Sequence, residues 1–252
     1  MDITGNTLFI PGATSGIGLG LALRFQAAGN TVIVGGRRRA LLEQIAAEHP
    51  GIGTVEVDIT DPASILAARD EVLAAHPQLD AVIAMAGIML PEDLTEPASL
   101  EIAERTVTTN LLGPIRLASA FLPQLIARAS AGARPAFVTV SSGLAYVPLP
   151  ATPTYSATKA AIHSFTDAMR VQLQGTGVQV VELVPPAVGT TLMGLDQTDY
   201  AMPLEQFLDE VMALFAADPA AEQIVVDRVR WQRFATAEGR YAEVLEAQSA
   251  RH

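Results

Sequence analysis

The sequence contains no cysteine, which excludes disulfides, thiolate nucleophiles and cysteine-ligated metals. Lysine is almost as scarce: of sixteen basic residues fifteen are Arg, and the single exception is Lys159. Acids outnumber bases 27 to 16, for a net charge of −11, and the one tight basic run is Arg37-Arg38-Arg39. A nucleic-acid partner, which needs a basic face to neutralise phosphates, is excluded on that balance. The four histidines, at 49, 76, 163 and 252, are scattered without ligand spacing, so no metal site is expected. No apolar run approaches the roughly 18 residues that cross a bilayer. The opening "MDITGNTLFI" puts an acid where a secretory signal needs bases. The expectation is a cytoplasmic protein with no membrane contact.

Apolar residues make up 50% of the 252, enough to bury a full core in one domain. Short β-rich runs occur at 7–10, 31–35, 54–57, 81–86, 136–141 and 178–184, and most are unbroken apolar stretches, as strands covered on both faces require. Helical patterns lie between them, near 16–28, 38–48, 62–75, 99–130 and 153–174. This alternation predicts an α/β fold, a doubly wound parallel sheet of about seven strands with helices on both faces. After Val184 the pattern changes, and "EQIVVDRV" offers only a short further strand before a helix. Residues 1–184 read as a dinucleotide-binding core, and 185–252 as a substrate loop and C-terminal segment of the same domain.

Gly12, Gly16 and Gly18 fall between the first strand and the first helix, where backbone N–H groups and the positive helix end can approach a pyrophosphate. Thr14, Ser15 and Ile17 fill the turn. The second strand ends in Gly35-Gly36-Arg37-Arg38-Arg39, with no acid to accept from a ribose 2′-hydroxyl. Three arginines opening a helix oppose its macrodipole, so an anion belongs beside them. The 2′-phosphate of NADP fits, with Arg37 as its first contact and Arg38 as its second. Asp58 and Ile59, after the third strand, are placed for the adenine.

"TPTYSATK" sets Tyr155 and Lys159 four apart, on one face of a helix with Thr152 as N-cap and Pro153 as first residue. An ammonium beside a phenol favours the phenolate, so this pair is expected to lower the tyrosine pKa into a usable range. Ser142 closes a strand 13 residues before Tyr155. The one lysine stands where a compact ammonium does what a guanidinium fork does not.

Together these residues resemble the short-chain dehydrogenase/reductase family over nearly the whole chain, and its NADP-preferring branch at the arginine corner. The family's Thr-Gly-x-x-x-Gly-x-Gly turn aligns with Pro11 to Gly18, and its tetrad with Asn110, Ser142, Tyr155 and Lys159. The resemblance implies a Rossmann-like fold and an NADP(H) cofactor. It implies that Tyr155 protonates a carbonyl oxygen, that Ser142 hydrogen-bonds the same oxygen, that Lys159 holds the nicotinamide ribose, and that Asn110 positions a water. It adds Ala86, Gly87, Pro185, Val188 and Thr190 to the cofactor contacts. Leu144, Tyr146, Leu149, Leu192, Met193, Tyr200 and Met202 would rim a substrate pocket for a mainly apolar ketone or alcohol, while Trp231 and Phe234 would pack the last helix. Helices 99–130 and 153–174 resemble those of the family's homodimers and homotetramers. The chain departs from the family at Pro11, at Ala84-Met85 where the family has two asparagines, and at Pro186 where it has glycine. Those losses at the cofactor motifs give a second reading, a non-catalytic NADP(H) sensor on the same scaffold.

Overall fold

Runs of three to six residues become strands, and the stretches between them become the crossovers that parallel pairing needs. In the computed structural model, which describes residues 1–250, the order is β1 (Thr7–Pro11), α1 (Gly16–Ala27), β2 (Thr31–Gly36), α2 (Arg39–Glu48), β3 (Ile52–Glu56), α3 (Pro62–Ala75) and β4 (Ala81–Ala84). The second half runs α4 (Ser99–Val107), α5 (Gly113–Ser130), β5 (Ala136–Val140), α6 (Pro153–Gln172), β6 (Gln179–Val184), α7 (Leu204–Ala217), β7 (Gln223–Val225), α8 (Arg230–Arg233) and α9 (Tyr241–Ser249). All seven strands form one parallel sheet in the order β3-β2-β1-β4-β5-β6-β7.

Alternate strand residues address opposite faces. Leu8, Ile10, Val32 and Val34 pack one core with α1 and α7, while Phe9, Ile33 and Val82 pack the other with α3 and α5. Phe9 meets Phe121 of α5 at 5.3 Å, and Phe25 of α1 meets Phe215 of α7 at 6.0 Å, each ring fully buried. Burying one such side chain contributes about 1.5–3 kcal/mol. The strand order reverses between β1 and β4, and a crevice opens there at the carboxyl ends of the strands.

Pro11 ends the central strand without breaking it. In a parallel ladder alternate residues address opposite neighbours, and the Gly12 N–H donates to the Gly35 carbonyl on the β2 side at 2.8 Å. The Pro11 nitrogen therefore faces β4, where pairing has already stopped at Phe9 and Val82. Beyond that point β4 curls, the Met85 N–H donating to its own Ile83 carbonyl at 2.8 Å, so β4 ends at Ala84 rather than at 86.

The expected helix 99–130 is two helices joined by a π-helical turn, Thr108–Leu112. Pro114 has no N–H to return to the Asn110 carbonyl, so the α-helical ladder cannot pass through this point. The stretch 204–217, without a distinct signal among the apolar residues of the C-terminal third, forms α7.

Candidate active site

The glycine turn is a cradle whose shape depends on missing Cβ atoms. Gly12 has φ +90°, and a Cβ there would lie 2.3 Å from the Ala86 Cα. A Cβ on Gly18 would lie 2.7 Å from both the Ala13 Cα and the Gly12 carbonyl oxygen. The turn thus presses flat against the residues after β4. Ser15 takes the N-cap position of α1 with no capping bond from its side chain, leaving the first-turn amides directed into the crevice. Ala86, two residues past the end of β4, serves as the wall on which Gly12 rests.

Two cavities meet at this cradle, with Gly12, Ser15 and Gly87 lining both. The smaller, about 220 Å³, is lined by Thr14, Arg37, Arg38, Asp58, Ile59 and Ala86, together with Gly36, Val57 and Thr109. Arg38 Nη2 donates to Thr14 Oγ1 at 3.1 Å, which holds its guanidinium over the turn. Burial pushes the Asp58 carboxyl up, but hydrogen bonds from the Thr60 hydroxyl and amide, with the Arg37 charge, bring it below the usual carboxylate range. Asp58 is thus an anion turned in on Thr60 and counterbalanced by Arg37.

The larger cavity, about 880 Å³, contains Ser142, Tyr155 and Lys159 in its wall, with Gly16, Ile17, Gly18, Pro185, Val188 and Thr190. Strand β5 brings Ser142 to the sheet edge, and the first turn of α6 brings Tyr155 opposite it. Thr152 takes the N-cap position, yet its side chain makes no cap bond and its hydroxyl is buried without a partner. The cap comes from Glu92 instead, which accepts from the Thr154 amide at 2.9 Å and the Thr154 hydroxyl at 2.5 Å. The Pro185 carbonyl accepts from the Gly143 N–H at 2.9 Å, fixing the turn that carries Ser142. Thr190 closes on the cradle, 3.3 Å from where a Gly16 Cβ would stand.

Asn110 does not line either cavity. It is buried in the π-helical turn, its Oδ1 accepting from the Ile88 N–H at 2.8 Å and its Nδ2 donating to the Ile88 carbonyl at 2.7 Å. The side chain is spent on positioning the segment after Gly87.

The electrostatics differ from the expectation in one respect. Burial pushes the Tyr155 hydroxyl up to about 12, with Ser142 pulling against it through a hydrogen bond. Lys159 lies 5.5 Å from the centre of the Tyr155 ring and donates to the Val140 carbonyl at 2.8 Å, and burial rather than the lysine sets the direction of the tyrosine's shift. Burial lowers the ammonium itself to about 8. In this state the tyrosine is a phenol, ready to donate a proton.

A lysine whose folded pKa falls below its unfolded value destabilises the fold where both states are charged, and this penalty is relieved as pH rises from about 8 towards 10.5. Tyr155 acts in a different window, because its raised pKa makes the fold lose stability only above pH 10. Urea unfolding of wild type and Lys159→Met without cofactor is therefore expected to show the variant more stable at pH 7, with the gap closing between pH 8 and 10. A gap independent of pH would sink this assignment.

Several substrate-side expectations are revised. Leu144, Leu149, Leu192, Met193 and Tyr200 line the large cavity, but Tyr146 and Met202 do not. The Tyr146 hydroxyl turns away to donate to Glu182 Oε1 at 3.1 Å, and its ring lies under the Arg233 guanidinium at 4.5 Å. Met202 is 1% exposed, its amide bonded to the Ala187 carbonyl, and it packs in the core with Phe207. Trp231 packs against the Val147 cluster, as its place before the last helix implied, and also lines the cavity. Arg228, Gln232 and Gln248 line it too, brought there by β7, α8 and α9. No motif marks them, because only the return of the C-terminal segment over the crevice places them.

Comparison with known proteins agrees with this geometry. The family model described as short chain dehydrogenase matches residues 6–201. An uncharacterized oxidoreductase, DltE, of Bacillus subtilis (strain 168) is 38% identical over 193 residues, covering 76% of this chain and 75% of that one. The 3-ketoacyl-(acyl-carrier-protein) reductase of Brucella melitensis complexed with NADH superposes with a TM-score of 0.78 at 26% identity, over 88% of this chain and 96% of that one. A short chain dehydrogenase from Burkholderia cenocepacia J2315 in complex with NADP shares the fold at a TM-score of 0.81 and 23% identity, over 98% of both chains.

Proposed function

The chain belongs to the short-chain dehydrogenase family, and from that membership and the site's geometry we propose that it is an NADPH-dependent carbonyl reductase. In the reverse direction it would oxidise a secondary alcohol. The observation that carries the reading is the convergence of Ser142, Tyr155 and Lys159 in one cavity that joins the glycine cradle.

The two joined cavities suit a dinucleotide, with the cradle of Gly12, Gly16 and Gly18 for its pyrophosphate and Lys159 beside its nicotinamide ribose. Arg37 and Arg38 would take the 2′-phosphate. The reduced nicotinamide, when bound, supplies the hydride for the carbonyl carbon. Tyr155 donates its proton to the carbonyl oxygen, and Ser142 donates a hydrogen bond to the same oxygen as charge develops on it. Lys159 and a water positioned by Asn110 return the proton to Tyr155. Leu144, Leu149, Leu192 and Met193 line the same cavity and favour an apolar body on the ketone.

The departures at Pro11 and Met85 favour this reading over a sensor, since each is absorbed locally. Pro11 loses a donor on a side with no acceptor to serve, and Met85 packs near Gly18. Equilibrium titration with NADPH and NADH tests the proposal. A charge-assisted hydrogen bond to phosphate contributes about 1.5–3 kcal/mol, so NADPH is expected to bind roughly 10- to 100-fold more tightly, with the preference lost in Arg37→Ala/Arg38→Ala. A preference for NADH would remove the arginines from the site, and binding of neither would overturn the reductase.

A further inference from the structure

We infer that the substrate carries an anionic group of the carboxylate class and that Arg228 selects it, an inference that rests on the reductase reading. Among the described residues lining the large cavity none is Asp or Glu, although the chain carries 27 acids and a net charge of −11. The lining does include two cations, Lys159 and Arg228. The lining of this cavity in an acidic protein thus carries positive charge and no carboxylate of its own, and such a wall draws in anions.

The two cations are separate in kind. Lys159 is buried beside Tyr155 and committed to the Val140 carbonyl. Arg228 is exposed, on the short 3₁₀ turn Asp227–Val229 that follows β7. Its Nη2 donates to the carbonyl of Tyr200, which also lines the cavity. Among the described residues no carboxylate is paired with it, so the fork is not already held by an acid as those of Arg24 and Arg128 are. A guanidinium has five N–H donors in a fixed fork that matches a carboxylate, and the bond to Tyr200 uses only one.

The bond to Tyr200 also orients the fork, because it ties Arg228 to the loop between β6 and α7. The arginine is held at the exposed side of the cavity while Ser142 and Tyr155 stay buried. A carbonyl compound placed between them would lay its apolar body along Leu144, Leu149 and Leu192 and present its acid to Arg228. The preferred substrate is therefore a keto or aldehyde acid rather than a neutral ketone.

Trp231 is the only tryptophan in the chain and lines this cavity, so its fluorescence reports occupancy without turnover. The experiment titrates a panel of straight-chain keto acids of four to eight carbons, and their methyl esters, against the full-length protein with and without NADPH. In wild type the acids are expected to bind at least about tenfold more tightly than their esters. Arg228→Gln should bring that ratio close to one, and Arg228→Lys should keep part of it. Added salt should weaken the acids and not the esters. Esters that bind as tightly as acids in wild type would overturn the inference. So would an Arg228→Gln variant that weakens both alike, since that result makes Arg228 only a latch on Tyr200. Failure of the reductase reading is distinguishable: NADPH would not be oxidised with any panel member, while the acid-to-ester ratio would still respond to Arg228.

Discussion

Tyr155→Phe is expected to lower kcat/KM for ketone reduction by about 10²- to 10⁴-fold, the range that a positioned general acid contributes. The substitution removes one oxygen and leaves the ring, which is 9% exposed and packs at the start of α6. Stability should change little, and NADPH affinity should stay within a few fold. The loss belongs to kcat, since the proton is delivered as charge develops on the carbonyl oxygen. The Tyr155 hydroxyl lies at about 12 without cofactor, so the wild-type enzyme holds its proton throughout the neutral range. Reduction is then expected to be flat in pH on the tyrosine side, and to decline where Lys159 loses its charge, near pH 8 before ligands bind. Single-turnover measurements with pre-bound NADPH separate this step from release. A Tyr155→Phe enzyme with wild-type turnover would remove the tyrosine from the chemistry and leave the sensor reading in force.

The sequence carried the fold and the reacting groups for the same physical reason: both rest on short-range pattern. Apolar runs identified the strands, and the turn of Gly12, Gly16 and Gly18 together with the four-residue step from Tyr155 to Lys159 gave the ends of the crevice. What escaped depends on how distant segments fold back. Pro114 is visible as a residue, but the π-helical turn it permits around Asn110 becomes evident only once the helix is seen to divide there. Thr152 occupies the right position for a cap, yet Glu92, sixty residues earlier in the chain, does the capping. The family resemblance made Tyr146 a pocket residue. A buried carboxylate at Glu182 needs hydrogen-bond partners more than the cavity needs a ring, and His163, Gln223 and Tyr146 all turn to it. The polar side of the substrate cavity was missed because Arg228, Gln232 and Gln248 come from the C-terminal third, where no spacing rule applies.

Gly12→Ala tests the other end of the site, and its expected effect is the largest on the fold. The new methyl group would sit 2.3 Å from the Ala86 Cα and 2.4 Å from the Ala86 nitrogen, both backbone atoms that cannot rotate away. The φ of +90° adds a conformational penalty for any residue with a Cβ. Overpacking of this kind costs about 1–3 kcal/mol, and forcing a left-handed backbone adds roughly 1–2 kcal/mol. Together these take a large share of a typical stability of about 5–15 kcal/mol. If the chain escapes by moving the turn off Ala86, the amides of Ser15 and Gly16 move with it. NADPH affinity should then fall by at least about 100-fold even in the fraction that stays folded. Thermal unfolding and NADPH titration on the same preparation check both halves. A variant with unchanged melting temperature and affinity would show that the turn does not need its contact with the chain after β4, and the cradle would lose its structural basis. Gly29→Ala beyond the far end of α1, at φ +89° with nothing within 4 Å of the added carbon, isolates the backbone part of the effect. It should lower the melting temperature modestly and leave NADPH binding as it was, so the difference between the two variants measures the close approach alone.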